Sequence, residues 1–199
     1  MNSKEILKKY GADITHSKQT AKLSLLLFDK LKEEFAVLKK YDNKRDLDLL
    51  YKGALLHDIG IKFEETYGLP HHKAGARYIT DNPPDDIDEE DSGVLACLIR
   101  YHRKSLPDDN KYKLYKTLSQ TNKAKVNYLG AIIRLADGLD NMHLNLVNDI
   151  DIKFDNKLNV LTLNISNNIM LNTSIRDVLD KKKKFFEKVF LVRVQFGSL

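Results

Sequence analysis

Several histidine and aspartate side chains in this sequence are of the types that bind divalent metal ions. They are His16, His57, Asp58, His71, His102 and Asp137. Imidazole nitrogen and carboxylate oxygen together suit Mn²⁺, Fe²⁺, Co²⁺ or Zn²⁺. An ion held by such ligands can lower the pKa of a water molecule and polarise a phosphoryl oxygen. These residue types therefore indicate a metal site that is suited to reactions of phosphate esters.

The adjacent pair His57-Asp58 sets the geometry that such a site would need. Neighbours on an α-helix point about 100° apart, so both can reach one ion only beyond the helix end. Gly60 follows two residues later and is expected to supply the turn. Burying an ionisable pair in an otherwise apolar helix is costly unless the pair is neutralised or bound to metal. The other ligands must then come from other helices, so an ion would tie the helices together.

Structural roles are the alternative for each of these residues. A lone histidine on a helix is more often a hydrogen-bonded structural residue than a ligand. Asp137 could cap a helix or form a buried hydrogen bond, and Asp140 and His143 could be the polar partners instead. We expect His72 and His143 at the surface or around the site rather than in it. The coincidence of the histidine and aspartate positions favours the metal site.

Hydrophobic spacing predicts the elements that must position these side chains. Apolar residues recur at three and four positions over the first three quarters of the chain, which indicates a bundle of helices. Ser3 is expected to cap the first helix, which ends at Gly11, and Asp13 or Thr15 to open the second. Further helices are predicted over residues 47–56, 71–79, 93–102 and 125–140.

The pattern changes after Asn148. Residues 150–154 and 158–165 alternate between apolar and polar side chains with a turn between them, which predicts two strands. A helix over 174–190 and a third strand over 191–196 follow, with Val192, Val194 and Phe196 on one face. The expected fold class is mostly α, with a helical domain over 1–148. A small β-β-α-β tail over 149–199 is expected to pack on this domain or on a partner.

The order H…HD…D resembles the HD superfamily of metal-dependent phosphohydrolases. From about residue 10 to 199, the chain also resembles the C-terminal region of the exopolyphosphatase and guanosine pentaphosphate phosphohydrolase family. The segments that carry this resemblance are 54–60 (ALLHDIG), 71–73 (HHK), 99–104 (IRYHRK) and 134–140 (RLADGLD). The resemblance implies an HD-type helical bundle.

The resemblance also implies roles for particular residues. Metal ligands would be His16, His57, Asp58 and Asp137. His71 and His102 would be additional ligands or phosphate contacts, and Asp58 could also orient the attacking water. We assign Lys62, Lys73, Arg103 and Lys104 as candidate contacts to the substrate phosphate. The residue types do not distinguish Mn, Fe, Co, Mg or Zn.

The sequence departs from the family in three respects. The N-terminal actin-like domains that hold the family's polyphosphate-cleaving site are not seen here. Ala74 stands where the family has a third histidine, and Asn141 stands where an arginine is usual. Exopolyphosphatase activity therefore cannot be carried over, whereas the HD site can.

Two functions follow as hypotheses, and a structural helical domain whose HD site has decayed is the third alternative. The first is a metal-dependent phosphohydrolase that acts on a nucleotide or another small phosphate ester. The second is a non-catalytic sensor or regulatory subunit, which binds a phosphorylated ligand such as a guanosine polyphosphate or pairs with separate actin-like domains.

Composition indicates which cellular compartment and which binding partners to expect. The chain has 199 residues and one cysteine, Cys97, in an apolar run, which indicates a buried hydrophobe and no internal disulfide. A reducing cytoplasm is expected, since neither a secretion signal nor a membrane span is visible. The net charge of +5 is concentrated in blocks, with lysines at 181–184 and acids over 81–91. Nucleic acid is therefore not expected as the main partner, and a homodimer through edge strands is a weaker expectation.

Overall fold

The computed structural model describes residues 1–166 and 173–198, and in these residues the chain is mostly helical with a small C-terminal sheet. The helices are α1 (Ser3–Tyr10), α2 (Ile14–Glu34), α3 (Lys44–Leu55), α4 (Glu64–Tyr67), α5 (His71–Asp81), α6 (Glu89–Tyr101), α7 (Lys113–Thr117), α8 (Gln120–Leu139) and α9 (Thr173–Phe190). Short 3-10 helices cover Ala36–Tyr41 and Ile59–Phe63. The strands are β1 (Ile150–Asp155), β2 (Val160–Ile165) and β3 (Arg193–Ser198). The predicted fold class, mostly α with a β-β-α-β element, is confirmed.

The first helix is capped differently from the prediction. Asn2, not Ser3, is the N-cap: its side chain accepts from the Glu5 backbone, and the Glu5 carboxylate accepts from the Asn2 backbone. This reciprocal pair needs an acid three residues after the cap, which Glu5 supplies for Asn2. Ser3 instead donates its backbone N–H and its hydroxyl to Asp86, each at 2.8 Å. Ser3 therefore docks α1 onto the rest of the molecule.

Other helices begin one turn earlier than their apolar stripes suggested. Helix α3 starts at Lys44, after the N-cap Asn43, rather than at residue 47. Helix α8 starts at Gln120, after Ser119, rather than at residue 125. The first turn of a helix is held by its cap and is commonly polar, so the apolar stripe begins later than the helix. Asp13 caps α2 as predicted and accepts from the His16 N–H at 2.9 Å.

The core lies where α3, α6 and α8 cross. A Cβ placed on Gly53 would lie 2.9 Å from Leu98 Cδ1 and 3.0 Å from Ile133 Cδ1, so the helices approach closely there. Cys97 is fully buried in α6, as predicted for a small hydrophobe. Each buried aliphatic side chain of this core, such as Leu98 or Ile133, contributes about 1.5–3 kcal/mol to the free energy of folding. This stabilisation allows the bundle to hold buried polar groups elsewhere.

The tail forms one sheet in the order β1-β2-β3. β2 pairs with β1 antiparallel and with β3 parallel, so α9 is the crossover between β2 and β3. Leu158 is exposed and Asn159 has a φ of 54°, so β2 begins at Val160 rather than at 158. Leu191 has a φ of 57°, which likewise delays β3 to Arg193. Helix α9 packs along α8 and so brings the tail to the helix that carries Asp137.

Most carboxylates of the acidic run over 81–91 form ion pairs, although several of them remain exposed. The N-terminal ammonium lies 2.7 Å from Asp85, and Asp86 accepts from Ser3. The Arg45 guanidinium bonds Asp91 at 2.5 Å and Glu90 at 3.0 Å. The run therefore links α1 to the loop before α6, and α3 to the first turn of α6. Among the described residues, no helix is long and apolar enough to cross a membrane.

Candidate metal centre

Helix ends bring the predicted ligands close together. His57 and Asp58 follow the C-cap residue of α3, Leu56, and His71 is the first residue of α5. His102 follows the last residue of α6, while Asp137 lies in the last turn of α8. Helix ends leave room for side chains from several elements to meet at one point. This arrangement fulfils the requirement that neighbouring ligands reach an ion only beyond a helix end.

One cluster joins His16, His57 and Asp137. Asp137 Oδ1 lies 3.5 Å from His16 Nε2 and 3.9 Å from His57 Nε2. One ligand atom from each of the three residues can be chosen so that all lie within 4.8 Å of one another. All three side chains are buried. Three donors of these types at this separation could hold one divalent ion.

A second cluster joins Asp58, His71 and His102. Asp58 Oδ1 lies 3.4 Å from His71 Nε2 and 3.4 Å from His102 Nε2. The other carboxylate oxygen, Oδ2, lies 3.4 Å from His57 Nε2. Asp58 therefore faces both clusters, one with each oxygen.

Hydrogen bonds at Nδ1 fix the orientation of three of the histidine rings. His57 Nδ1 lies 2.7 Å from the Ala54 carbonyl, and His102 Nδ1 lies 2.6 Å from the Ile99 carbonyl. A carbonyl can only accept, so each Nδ1 carries the proton and each Nε2 presents a lone pair when the ring is neutral. His16 Nδ1 bonds Asp140 Oδ2 at 2.8 Å in the same manner. Ligating histidines in metalloproteins are held by the same kind of acceptor.

The two Nε2 atoms that face Asp137 provide a test of whether a divalent ion fits. His16 Nε2 and His57 Nε2 are buried and have no hydrogen-bond partner among the described residues. Leaving a buried polar atom unpaired costs about 1–3 kcal/mol. A divalent ion coordinated by both nitrogens and by Asp137 would satisfy them. The residues present therefore fit a divalent metal ion.

Both carboxylates are held in the ionised form. Burial works against the charge of Asp58, but the charge of the nearby His57 outweighs it, so the pKa of Asp58 is lowered. The pKa of Asp137 is also lowered, because Lys182 and His16 outweigh its burial. Ionised carboxylates are the form that binds cations.

The histidine rings differ in charge. Burial lowers the pKa of His102 to about 4, so this ring is neutral at pH 7. His16 is the opposite case: burial disfavours its charge, but the nearby carboxylates of Asp137 and Asp140 raise its pKa to about 9. Burial also lowers the pKa of His72 to about 3. His72 is buried beside His102 but belongs to neither cluster.

Gly60 positions the second cluster, although not by the predicted turn. Its φ is not positive, and the chain reverses through the 3-10 helix Ile59–Phe63. A Cβ on Gly60 would lie 1.8 Å from the His71 carbonyl oxygen and 2.3 Å from the Gly75 nitrogen. Gly60 is therefore required because α5 packs directly on its backbone, which brings His71 to Asp58.

A cleft of about 390 Å³ opens onto Asp58, His102 and Asp137. Arg103 and Lys104, two of the predicted phosphate contacts, line it. The structure does not bring the other two there. Lys62 lies in a separate surface pocket with Tyr10 and Glu64, and Lys73 is not part of the cleft lining.

Further polar residues in the cleft were not singled out from the sequence. Arg134 lines it and donates to the carbonyls of Lys104, at 2.7 Å, and Ser105, at 3.3 Å. Lys181 and Lys182 reach it from α9. Arg134 begins the segment 134–140 that carries the family resemblance, but the sequence assigned no role to it. The two lysines belong to a run of charges that is typical of a solvated face.

Asp140 and His143, named above as alternative polar partners, surround His16. Asp140 bonds His16, as described, and His143 stacks on it with ring centroids 3.8 Å apart. His143 Nδ1 lies 2.9 Å from Asp13 Oδ2. His143 also lines the cleft. Asp140 and His143 therefore support His16 rather than replace Asp137.

The helical bundle with histidine and aspartate donors at converging helix ends agrees with the family resemblance drawn from the sequence. Residues 2–182 match the family described as Ppx/GppA phosphatase, domain III. The chain therefore belongs to this family, as the sequence motifs predicted. No curated protein matches the chain.

Proposed function

We propose that this chain is a metal-dependent phosphohydrolase that acts on a nucleotide or another small phosphate ester. The observation that carries the proposal is the position of Asp58, which belongs to one three-donor cluster and lies 3.4 Å from His57 of the other. Membership of a phosphatase family supports it at the level of reaction class. The cleft volume of about 390 Å³ is in the range of sites for small ligands.

The ligand sets follow from the clusters. His16, His57 and Asp137 would hold one ion, and Asp58, His71 and His102 a second, with Asp58 also facing the first. A divalent ion bound there would act as a Lewis acid, polarising a phosphoryl oxygen and acidifying a water molecule. The donor set admits Mn, Fe, Co, Mg or Zn.

Cationic side chains on the cleft wall would bind the phosphate. Arg103 Nη1 lies 3.0 Å from His71 Nε2, so the guanidinium stands directly at the second cluster. Lys104 and Arg134 line the same wall. A guanidinium can donate two parallel hydrogen bonds to a phosphoryl group and neutralise charge as it develops.

Asp58 and His102 have separable tasks. Since the pKa of Asp58 is lowered, its carboxylate accepts hydrogen bonds and can orient an attacking water without taking its proton at neutral pH. His102 is neutral, and its Nδ1–H donates a hydrogen bond to the Ile99 carbonyl. The lone pair of its Nε2 is therefore available to bind a metal.

The test is turnover by the purified chain. The protein is prepared without chelator, loaded separately with Mn²⁺, Co²⁺, Mg²⁺, Fe²⁺ or Zn²⁺, and assayed for phosphate release from nucleotides and simple phosphate esters. We expect release that is lost in Asp58→Asn and retained in Asp29→Asn, a surface carboxylate paired with Lys32. Absence of release with every metal and ester contradicts the proposal.

One observation favours a second candidate, a binding or regulatory domain. The matched family model describes one domain of a phosphatase, domain III, rather than a complete enzyme. In this role the same cleft would bind a phosphorylated ligand without cleaving it. Equilibrium dialysis with a guanosine polyphosphate distinguishes the two, since saturable binding with an unchanged ligand supports the second candidate.

A further inference from the structure

Lys182 reaches from α9 to a predicted metal ligand. Its ammonium pairs with Asp137 Oδ2, while Asp137 Oδ1 faces His16 and His57. The lysine side chain is only 15% exposed. Its contact is built into the fold by Gly138, where a Cβ would lie 3.0 Å from Lys182 Cδ and 3.1 Å from Leu179 Cδ2. The absence of a side chain at Gly138 lets the lysine cross α8 to the carboxylate.

Lys182 differs chemically from the other groups that hold ligand residues. The Ala54 and Ile99 carbonyls, and the Asp140 carboxylate, accept hydrogen bonds from histidine rings and so increase the electron density at Nε2. An ammonium donates to its partner and withdraws electron density from the carboxylate. It also carries a positive charge that repels a second cation at the same carboxylate in a partly buried site.

We propose that Lys182 is a built-in counter-cation of Asp137 that competes with a divalent ion for this carboxylate. Metal binding then releases the ammonium into the cleft, where Lys181 already stands, and α9 couples the C-terminal tail to metal loading. The inference rests on the proposed metal centre. If Lys182 supported the ligand Asp137, its removal would weaken metal binding. If Lys182 competes with the metal, its removal strengthens metal binding, so the two roles predict opposite changes in metal affinity.

The experiment measures Mn²⁺ affinity by isothermal titration calorimetry for the full chain and two variants. Lys182→Met removes the charge but keeps an unbranched side chain that can pack on Gly138. Lys181→Met is the matched control, because it removes an equal charge from the same cleft wall. We expect the dissociation constant to fall about tenfold in Lys182→Met, equivalent to about 1.4 kcal/mol. In Lys181→Met we expect a fall of less than about threefold, a surface-charge effect.

Thermal unfolding provides a second readout. In chelator, Lys182→Met should melt below the wild type, because buried Asp137 loses one of its two cationic neighbours and keeps only His16. Saturating Mn²⁺ should raise the melting temperature of Lys182→Met by more than that of the wild type. If Lys182→Met does not fold, Lys182→Gln takes its place with the same expected signs.

The outcomes separate this inference from the proposed function. An unchanged or larger dissociation constant in the folded Lys182 variant, with wild-type binding intact, overturns the competition alone. An equal fall in the Lys181 control reduces the effect to general electrostatics and also overturns it. Lack of Mn²⁺ binding by every protein overturns the metal centre and the competition together.

Discussion

His57 Nε2 lies 3.4 Å from Asp58 Oδ2, although the two residues are neighbours in the chain. The contact is formed because α3 ends at Leu55 and the backbone leaves helical geometry before turning into a 3-10 helix. In a continuing helix the two side chains would diverge by about 100°. The end of α3 is therefore the feature that makes this pair a candidate ligand pair.

Asp58→Asn should abolish metal retention more completely than any other single change, since Asp58 faces both clusters. We expect affinity to fall by at least about 100-fold, because even residues that only hydrogen-bond a ligand contribute about 10–100-fold. Plasma mass spectrometry on protein prepared without chelator measures this, with circular dichroism to verify folding. Asp29→Asn is the control, and equal metal content in the two variants would contradict the assignment.

Asp140→Asn should weaken metal binding without removing a ligand. The side chain holds His16 Nδ1 at 2.8 Å and accepts from the Asn145 backbone, so its charge and its position both support that ring. A decrease of about 10–100-fold in affinity is expected by calorimetry. His72→Leu, which alters a buried histidine outside the clusters, should leave affinity within about threefold of the wild type if the ligand sets are correct. A larger loss in His72→Leu than in Asp140→Asn would reverse the assignment.

Gly60→Ala should destabilise the protein by more than about 3 kcal/mol, because the new methyl group would collide with backbone rather than with a flexible side chain. Gly68→Ala is a suitable comparison. Gly68 has a φ of +59° but nothing within 4 Å of its virtual Cβ, so only backbone strain of about 1 kcal/mol is expected. Urea unfolding measures both. Equal losses would contradict the close packing of α5 on Gly60.

Asp86→Asn should destabilise the fold in a pH-dependent way. Burial opposes the charge of Asp86, but hydrogen bonds from Ser3 and Lys52 lower its pKa below 3.8. A lowered folded-state pKa gives a contribution that is present above the unfolded value and lost as pH falls through the folded value. We expect a deficit of about 1–2 kcal/mol at pH 7, since hydrogen bonds to a partly exposed charge are involved.

The deficit of Asp86→Asn should shrink steadily below the unfolded pKa, which is near 3.8. Urea unfolding of both proteins at several pH values between 7 and 3 tests this. Asp85→Asn removes an exposed neighbouring carboxylate and serves as the control. A deficit that does not change with pH would show that shape, not charge, is what Asp86 contributes.

Cys97 should not react with thiol reagents in the folded protein. Its side chain is fully buried, and burial raises the pKa of its thiol to about 12, so almost no thiolate exists at pH 8. A chromogenic disulfide reagent should give no signal under native conditions. In guanidinium it should give one thiol per chain, which is the positive control. Rapid native labelling would show that α6 opens readily.

The candidate ligands could be selected from the sequence, and their clustering anticipated, because each carries a local signature. His57-Asp58 interrupts an apolar helix, and Asp137 lies in an apolar segment where a buried charge needs a partner. The lysines that α9 contributes to the cleft wall could not be predicted in the same way. Lys182 reaches the cleft only through the crossing of α8 and α9 at Gly138, and such a tertiary contact leaves no periodic trace in the sequence.

Two of the four predicted phosphate contacts illustrate the same limit. Lys62 and Lys73 lie within four residues of Asp58 or His71, yet neither lines the cleft. Proximity in sequence does not set the direction of a side chain on a helix, since successive residues point about 100° apart. Arg134 lies three residues before Asp137 on α8 and does line the cleft, as residues at that spacing share a face.

Helix α9 belongs to the tail by sequence but supplies Val178, Lys181 and Lys182 to the cleft wall. The same helix buries Phe185 and Phe186 against the bundle. Exchanging the tail of this chain for the tail of a relative would therefore replace part of the cleft wall together with part of the core. We therefore expect a chimera made by exchanging tails between relatives to carry a mismatched cleft wall beside an unchanged set of candidate ligands.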